Sequence, residues 1–207
     1  MTSSKENKVQ LKLDFINDRV NYLRPLPKGK NELIAKAIGI GKGFTDVIDA
    51  TAGLGMDSVV LARMGCSVRA IERSKEIFTS LDSALILAQV DLKTQNWAKN
   101  LKFIHADSIH YLQNLKQNEK PQVIYLDPMF PQKKKSSLPR KEMVLFRSLV
   151  GDDTDSEELL QIALKTAKER VVVKRPLKSA PILKEPQHSF EGNSVRYDLY
   201  LVSKAST

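Results

Sequence analysis

Asp49, Glu72, Asp107 and Asp127 each close a short apolar run, and each is followed by a turn or the start of a helical pattern. The first heads a glycine turn, DATAGLG (residues 49–55). Gly53 and Gly55 let the backbone approach a ligand closely, and a helix beginning there offers unpaired N–H groups. A dinucleotide fingerprint would place a third glycine at position 58, where this chain has Ser58, and no basic residue of the phosphate-loop kind follows. An acid at the head of the turn repels phosphate, yet Asp49 can accept hydrogen bonds from an amino-acid ammonium. That chemistry suits S-adenosylmethionine (SAM), which carries a methionine moiety and a sulfonium where a nucleotide carries anions.

Two further positions agree with this. Glu72 lies 19 residues after Gly53, where doubly wound folds place the acid that accepts from ribose hydroxyls. Asp107 and Ser108 end the third apolar run and are suited to an adenine amino group. Taken singly, each acid is equally suited to capping a helix. Together, at the ends of successive strands, they fit a nucleoside-type cofactor better. Asp57 has two open roles, as a cap for the following helix or as a cofactor contact.

The fourth run leads into YLDPMFP (125–131). The Asp127 carboxylate and the Pro128 carbonyl can accept hydrogen bonds from a substrate amino group, and Phe130 offers a flat face to a planar base. An exocyclic amine is conjugated with its ring and weakly nucleophilic. Acceptors at its N–H groups turn the lone pair toward a methyl donor, so catalysis rests on orientation and electrostatics. The competing role is a proline-bounded loop with Phe130 in the core.

These residues require a frame of alternating strands and helices. Short strands are expected at 46–50, 67–71, 102–105, 122–126 and 170–173, with a terminal alternating strand at 194–202. Helices are expected at 32–38, 56–64, 75–92, 108–115, 141–149 and 156–168. This pattern implies an α/β fold: a mostly parallel, twisted sheet flanked by helices, with an antiparallel C-terminal strand. Residues 1–30 read as an extension, with Val9 to Phe15 as a possible short strand, and 31–207 as the catalytic domain.

Composition narrows the class. The chain has 207 residues, 42% hydrophobic and 28% charged, which fits one globular domain. Its single Cys and three dispersed His argue against a disulfide framework or a metal centre. With no long apolar span and no signal-peptide pattern, a cytoplasmic protein that does not enter membranes is expected. The net charge of +9 points to a phosphate-bearing partner. It is segregated: Lys133, Lys134, Lys135, Arg140, Lys141 and Arg147 follow the Asp127 loop, and Lys174 and Arg175 end the fifth strand. Lys133, Lys134, Lys135, Arg140, Lys141, Lys174 and Arg175 are therefore expected to form an RNA-binding rim.

The motifs DATAGLG (49–55), YLDPMFP (125–131), KSSLPRKEM (135–143), SLVG (148–151) and VVVKRP (171–176) together resemble the bacterial ribosomal small subunit methyltransferase J family. The resemblance runs from Leu33 to Leu201. It implies a Rossmann-like class I methyltransferase that moves a methyl group from SAM to N2 of a guanosine in 16S rRNA. Its partner would be 16S rRNA, free or in the small ribosomal subunit. It also implies that Met56, Asp57, Glu72, Arg73, Asp107, Ser108 and Asp127 contact the cofactor, and that Asp127, Pro128 and Phe130 serve catalysis. The loop is similar to the Asp/Asn-Pro-Pro-Tyr/Phe signature of other amino methyltransferases, with Met129 at the second proline. Adenine-N6 methylation, methylation of another amine, and a non-catalytic RNA-binding role remain the alternatives.

Overall fold

Near-continuous apolar runs form the central strands, as required where both faces of a parallel sheet are covered. The computed structural model describes residues 13–17, 33–128 and 155–202. In it, β1 (Asp46–Asp49), β2 (Ser67–Glu72), β3 (Leu101–His105), β4 (Val123–Leu126) and β5 (Arg170–Pro176) run parallel. With β6 (His188–Glu191) and β7 (Val195–Leu201) they form one seven-stranded sheet in the order β3-β2-β1-β4-β5-β7-β6. β7 is antiparallel to β5, and β6 is antiparallel to β7.

Six α-helices accompany the sheet among the described residues: α1 (Leu33–Ile38), α2 (Met56–Arg63), α3 (Lys75–Val90), α4 (Gln95–Ala98), α5 (Ser108–Gln113) and α6 (Ser156–Thr166). Successive strand residues face opposite sides, which sorts them into two cores. Val47, Val123, Tyr125 and Val172 pack with Ile38, Leu61, Leu81 and Ala98 from α1 to α4. Ile48, Ile124, Leu126, Val171 and Val173 pack with Leu112, Leu159 and Leu160 from α5 and α6. Burying each such aliphatic side chain contributes about 1.5–3 kcal/mol.

Several boundaries differ from expectation for local reasons. Leu13–Asn17 is not strand: Asp14 Oδ1 accepts from the N–H of Ile16 at 3.0 Å and of Asn17 at 3.1 Å, closing a turn. Phe15 is buried and stacks on Phe103, so this piece of the extension belongs to the core. α3 stops at Val90 because Asp91 adopts an extended conformation, its side chain accepting from Lys93 N–H. α4 and β6 were not expected from the sequence. α4 is a single polar turn, and β6 is a half-exposed edge strand, so neither carries a clear hydrophobic period. The strand expected at Val9, up to Lys12, and the helix at 141–149 lie outside the described residues.

The layout positions the site. β1 has β2 on one side and β4 on the other, so strand order reverses between β1 and β4. A crevice opens at such a switch point, beyond the carboxyl ends of the strands. Asp49 and Asp127 stand there.

Candidate active site

The glycine turn after β1 is built around Asp49. This residue is 1% exposed. Its Oδ1 accepts from Thr51 N–H at 3.0 Å, and its Oδ2 accepts from the Ser58 hydroxyl at 2.5 Å. Burial raises the Asp49 carboxyl to about 7, partly offset by those two hydrogen bonds; the charges of Asp57 and Asp127 push it up further. The sequence assigned Asp49 to an amino-acid ammonium, but its oxygens serve its own turn. As placed, it organises the loop from beneath. Gly53 and Gly55 have φ of 54° and 75°, a region that favours glycine. A Cβ on Gly55 would lie 2.7 Å from Leu81 Cδ2 and 2.9 Å from Phe103 Cζ. Gly55 therefore lets the turn sit on α3 and β3 rather than admitting a ligand. Met56 is partly buried against the same core.

Glu72 ends β2, nearly buried, and joins two turns. Its Oε2 accepts from Gly53 N–H at 3.0 Å and its Oε1 from Ser74 N–H at 2.7 Å. Asp107 caps α5, accepting from His110 N–H at 2.9 Å, while the Ser108 hydroxyl donates to the Ala50 carbonyl at 2.6 Å. Arg73 donates to Asp155 at 3.1 Å, tying the end of β2 to the start of α6. Glu72 and Ser108 thus tie together the loops after β1, β2 and β3, with Glu72 directly opposite His105 in the sheet.

A second network spans β4, β5 and the start of α2. Lys174 Nζ lies 2.7 Å from Oδ2 of Asp57 and 2.7 Å from Oδ2 of Asp127. The Tyr125 hydroxyl donates to the same Asp57 oxygen at 2.5 Å. Asp127 N–H donates to the Thr51 hydroxyl oxygen at 2.6 Å, which anchors the loop backbone to the glycine turn. Burial, then the charges of Asp57 and Asp127, hold the Tyr125 phenol well above its usual range, so it remains a donor. Burial works against the Lys174 charge, but the two carboxylates outweigh it and raise the ammonium above the ordinary lysine value. Asp57 does not cap α2, whose N-cap position is Gly55 with no side-chain cap. Pro128 is buried behind Asp127.

The rim expectation is corrected at two positions. Lys174 turns inward to the carboxylates, its side chain only 23% exposed. Arg175, the next residue on β5, is 6% exposed and donates through Nη2 to the Ala180 carbonyl. Burial lowers its pKa, and the neighbouring Arg196 adds to that. Neither side chain lies on an open basic surface. Phe130, Lys133, Lys134, Lys135, Arg140 and Lys141 lie outside the described residues. Thr51, Ser58 and Tyr125 were given no role in the site from the sequence. Tyr125 carried a usable signal: a phenol in an otherwise aliphatic buried strand needs a partner. It stands two residues before Asp127, hence on the same face.

Comparison with known proteins places this geometry. The family model described as "Putative SAM-dependent methyltransferase" matches residues 1–202. Ribosomal RNA small subunit methyltransferase J of Bdellovibrio bacteriovorus is 43% identical over 197 residues, covering 95% of this chain and 76% of that protein. The protein of the same name from Stutzerimonas stutzeri is 45% identical over 192 residues, covering 92% and 74%. The chain belongs to the ribosomal RNA small subunit methyltransferase J family. The crystal structure of a SAM-dependent methyltransferase from Neisseria gonorrhoeae matches the fold of this family member with a TM-score of 0.75 at 36% identity, over 95% of this chain and 76% of that one. Magnesium protoporphyrin IX methyltransferase from Synechocystis, solved with bound SAM, shares the fold alone: TM-score 0.50 at 15% identity, over 82% and 76% of the two chains.

Membership makes the enzyme SAM-dependent, and the residues present suit that cofactor. The crevice edge carries Glu72, Asp107, Asp57 and Asp127, while the nearby cations Arg73 and Lys174 are both engaged with carboxylates. Such an edge suits ribose hydroxyls, an ammonium and a sulfonium, and would repel a triphosphate. Among the described residues no group of three His, Cys, Asp or Glu could hold a metal, and no helix is long and apolar enough to cross a membrane.

Proposed function

We propose that this enzyme transfers the methyl group of SAM to the exocyclic N2 of a guanosine in 16S rRNA, free or within the small subunit. The relatives are named for small-subunit ribosomal RNA. The observation that carries the choice of an exocyclic amine is the fixed carboxylate of Asp127 at the switch point, braced by Lys174 and, through its backbone, by Thr51.

Glu72, Asp107, Ser108 and Asp57 hold the cofactor, with Arg73 and Met56 beside them; the glycine turn, set by Asp49, Gly53 and Gly55, shapes the floor. When bound, SAM supplies an electrophilic methyl group. Asp127 accepts a hydrogen bond from one N–H of the amine, and the Pro128 carbonyl accepts the other. The nitrogen lone pair is thereby turned out of conjugation toward the donor, and positive charge developing on nitrogen meets the carboxylate. Phe130 stacks against the base, and Lys133, Lys134, Lys135, Arg140 and Lys141 grip the RNA backbone. The reaction takes place in the cytoplasm.

Nucleoside mass spectrometry after incubating small-subunit rRNA with the enzyme and isotope-labelled SAM tests this. Labelled N2-methylguanosine is expected. Label found only in N6-methyladenosine would overturn the guanine assignment, and none in RNA would overturn the RNA substrate.

A further inference from the structure

We propose that Lys174 is a positioning residue for methyl transfer: its ammonium locks Asp57 and Asp127 into one ionised pair and aims Asp127 at the substrate amine. This rests on Asp127 being the acceptor of that amine, as proposed above.

The geometry is specific. One nitrogen stands 2.7 Å from an oxygen of each carboxylate, on residues 70 apart in the chain. The ammonium has three N–H donors, and two of them go to these oxygens. Asp57 is further fixed by the Tyr125 hydroxyl, and the Asp127 backbone by Thr51. Asp127 is thus restrained at both its carboxylate and its main chain, through contacts reaching β1, α2, β4 and β5. The position of Lys174 also argues against a phosphate contact, since its charge is already directed to two acids inside the crevice.

The chemistry explains why a cation belongs there. An ionised carboxylate accepts from an amine N–H more strongly than a protonated one, whose O–H can instead donate to the amine nitrogen. Among the described residues, the titratable groups acting on Asp57 and Asp127 are Asp49 from β1, Tyr125 from β4 and Lys174 from β5, with Tyr197 from β7 acting on Tyr125. Of these, Lys174 alone carries positive charge. Two carboxylates sharing a site without a cation retain a proton between them to higher pH. Lys174 supplies the compensating charge to both carboxylates at 2.7 Å, which holds Asp127 as an acceptor for the amine.

The test compares wild type with Lys174→Met, Lys174→Gln and Lys174→Arg from pH about 5.5 to about 9. Methyl transfer is measured at saturating SAM and rRNA, rRNA affinity is measured against salt, and aspartate carboxylates are followed by 13C NMR without substrate. Thermal melts confirm folding, and two neutral variants guard against the loss of one. The neutral variants are expected to lower kcat about 100-fold near pH 6 and less near pH 8.5. They should thus gain an acid limb that wild type lacks. An aspartate signal should titrate at higher pH than in wild type, with rRNA affinity and its salt dependence unchanged. Lys174→Arg should keep the wild-type profile at an activity within about 10-fold.

Profiles parallel to wild type with unchanged NMR titrations would reduce Lys174 to a structural brace. A salt slope smaller by about one with kcat preserved would make it a phosphate contact. Both outcomes overturn the proposal. A labelled nucleoside other than N2-methylguanosine from wild type would instead overturn the substrate assignment. The Lys174 comparison would still be decided on that product and by NMR.

Discussion

Lys174 and Arg175 are neighbours on β5, both basic and both largely withdrawn from solvent, yet they enter opposite kinds of charged cluster. Lys174 joins Asp57, Asp127 and the buried Tyr125 at the crevice, where the Lys174, Asp57 and Asp127 side chains keep between 23% and 37% of their surface exposed. Arg175 lies beside a closed cluster on β7. There Arg196 grips Asp198 through Nε at 2.7 Å and Nη2 at 3.0 Å, and spends Nη1 on the carbonyls of Leu177 and Ser179. Asp198 is fully buried and also accepts from the Ser189 hydroxyl. The closed cluster has its polar atoms committed to holding the segment after β5 against β7. The open one presents its carboxylates to a crevice. A buried charge is thus informative only once its surroundings are known: saturated on all sides it serves architecture, and left open on one side it can meet a ligand.

Five substitutions test that contrast. The largest effect is expected at the open cluster: Asp127→Ala should lower kcat by about 100- to 10,000-fold, as for loss of a positioned acceptor. SAM affinity by calorimetry should fall far less than kcat, since Glu72, Asp107 and Asp57 still line the crevice edge. At the closed cluster, Asp198→Ala leaves the Arg196 guanidinium buried without its carboxylate. It should cost about 3–5 kcal/mol in urea unfolding, while transfer per folded molecule is retained. If Asp198→Ala abolished activity in the folded protein, the two clusters would not be separable.

Asp49 gives an intermediate effect with a definite sign. Its folded pKa of about 7 lies above the ordinary aspartate value of 3.8, so between those limits the folded state holds a proton that the unfolded chain has lost. This contribution to stability is present below about pH 4 and is lost as pH rises toward about 7, by at most about 1.4 kcal/mol per pH unit. Asp49→Asn should flatten that part of the stability–pH curve measured by urea unfolding. The smallest effect concerns RNA. Arg175→Gln should leave the salt slope of rRNA binding unchanged, whereas Lys134→Gln in the basic stretch should reduce it by about one. A reduced slope for Arg175→Gln would contradict its inward placement.

Much of the frame was legible in the sequence because hydrophobic period is a local property. The runs DVID, VIYL and VVV announce buried parallel strands, and the spacing of Ile77, Leu81, Ala84, Leu85 and Ala88 announces a helix with one buried face. The acids closing β1, β2 and β4 were legible for the same reason, since a polar residue ending such a run marks the strand's carboxyl edge. Asp107, two residues past β3, marks the cap of α5 instead. The turn at Asp14, the single-turn α4 and the edge strand β6 were hidden, because each depends on a side-chain bond or a neighbouring strand rather than on periodicity.

From the sequence alone come the alternating α/β order, the acidic crevice edge, the Asp127 loop and the family resemblance. Charge counting, by contrast, could place Lys174 and Arg175 only as one basic pair. Their separation follows from the pleat, which sends adjacent side chains to opposite faces, and from chain crossings that bring Asp57 beside Tyr125 across 68 positions. Which side of a strand a charge occupies, and which distant acid waits there, was decided by tertiary structure, because an ion pair depends on distance in space and not on separation along the chain.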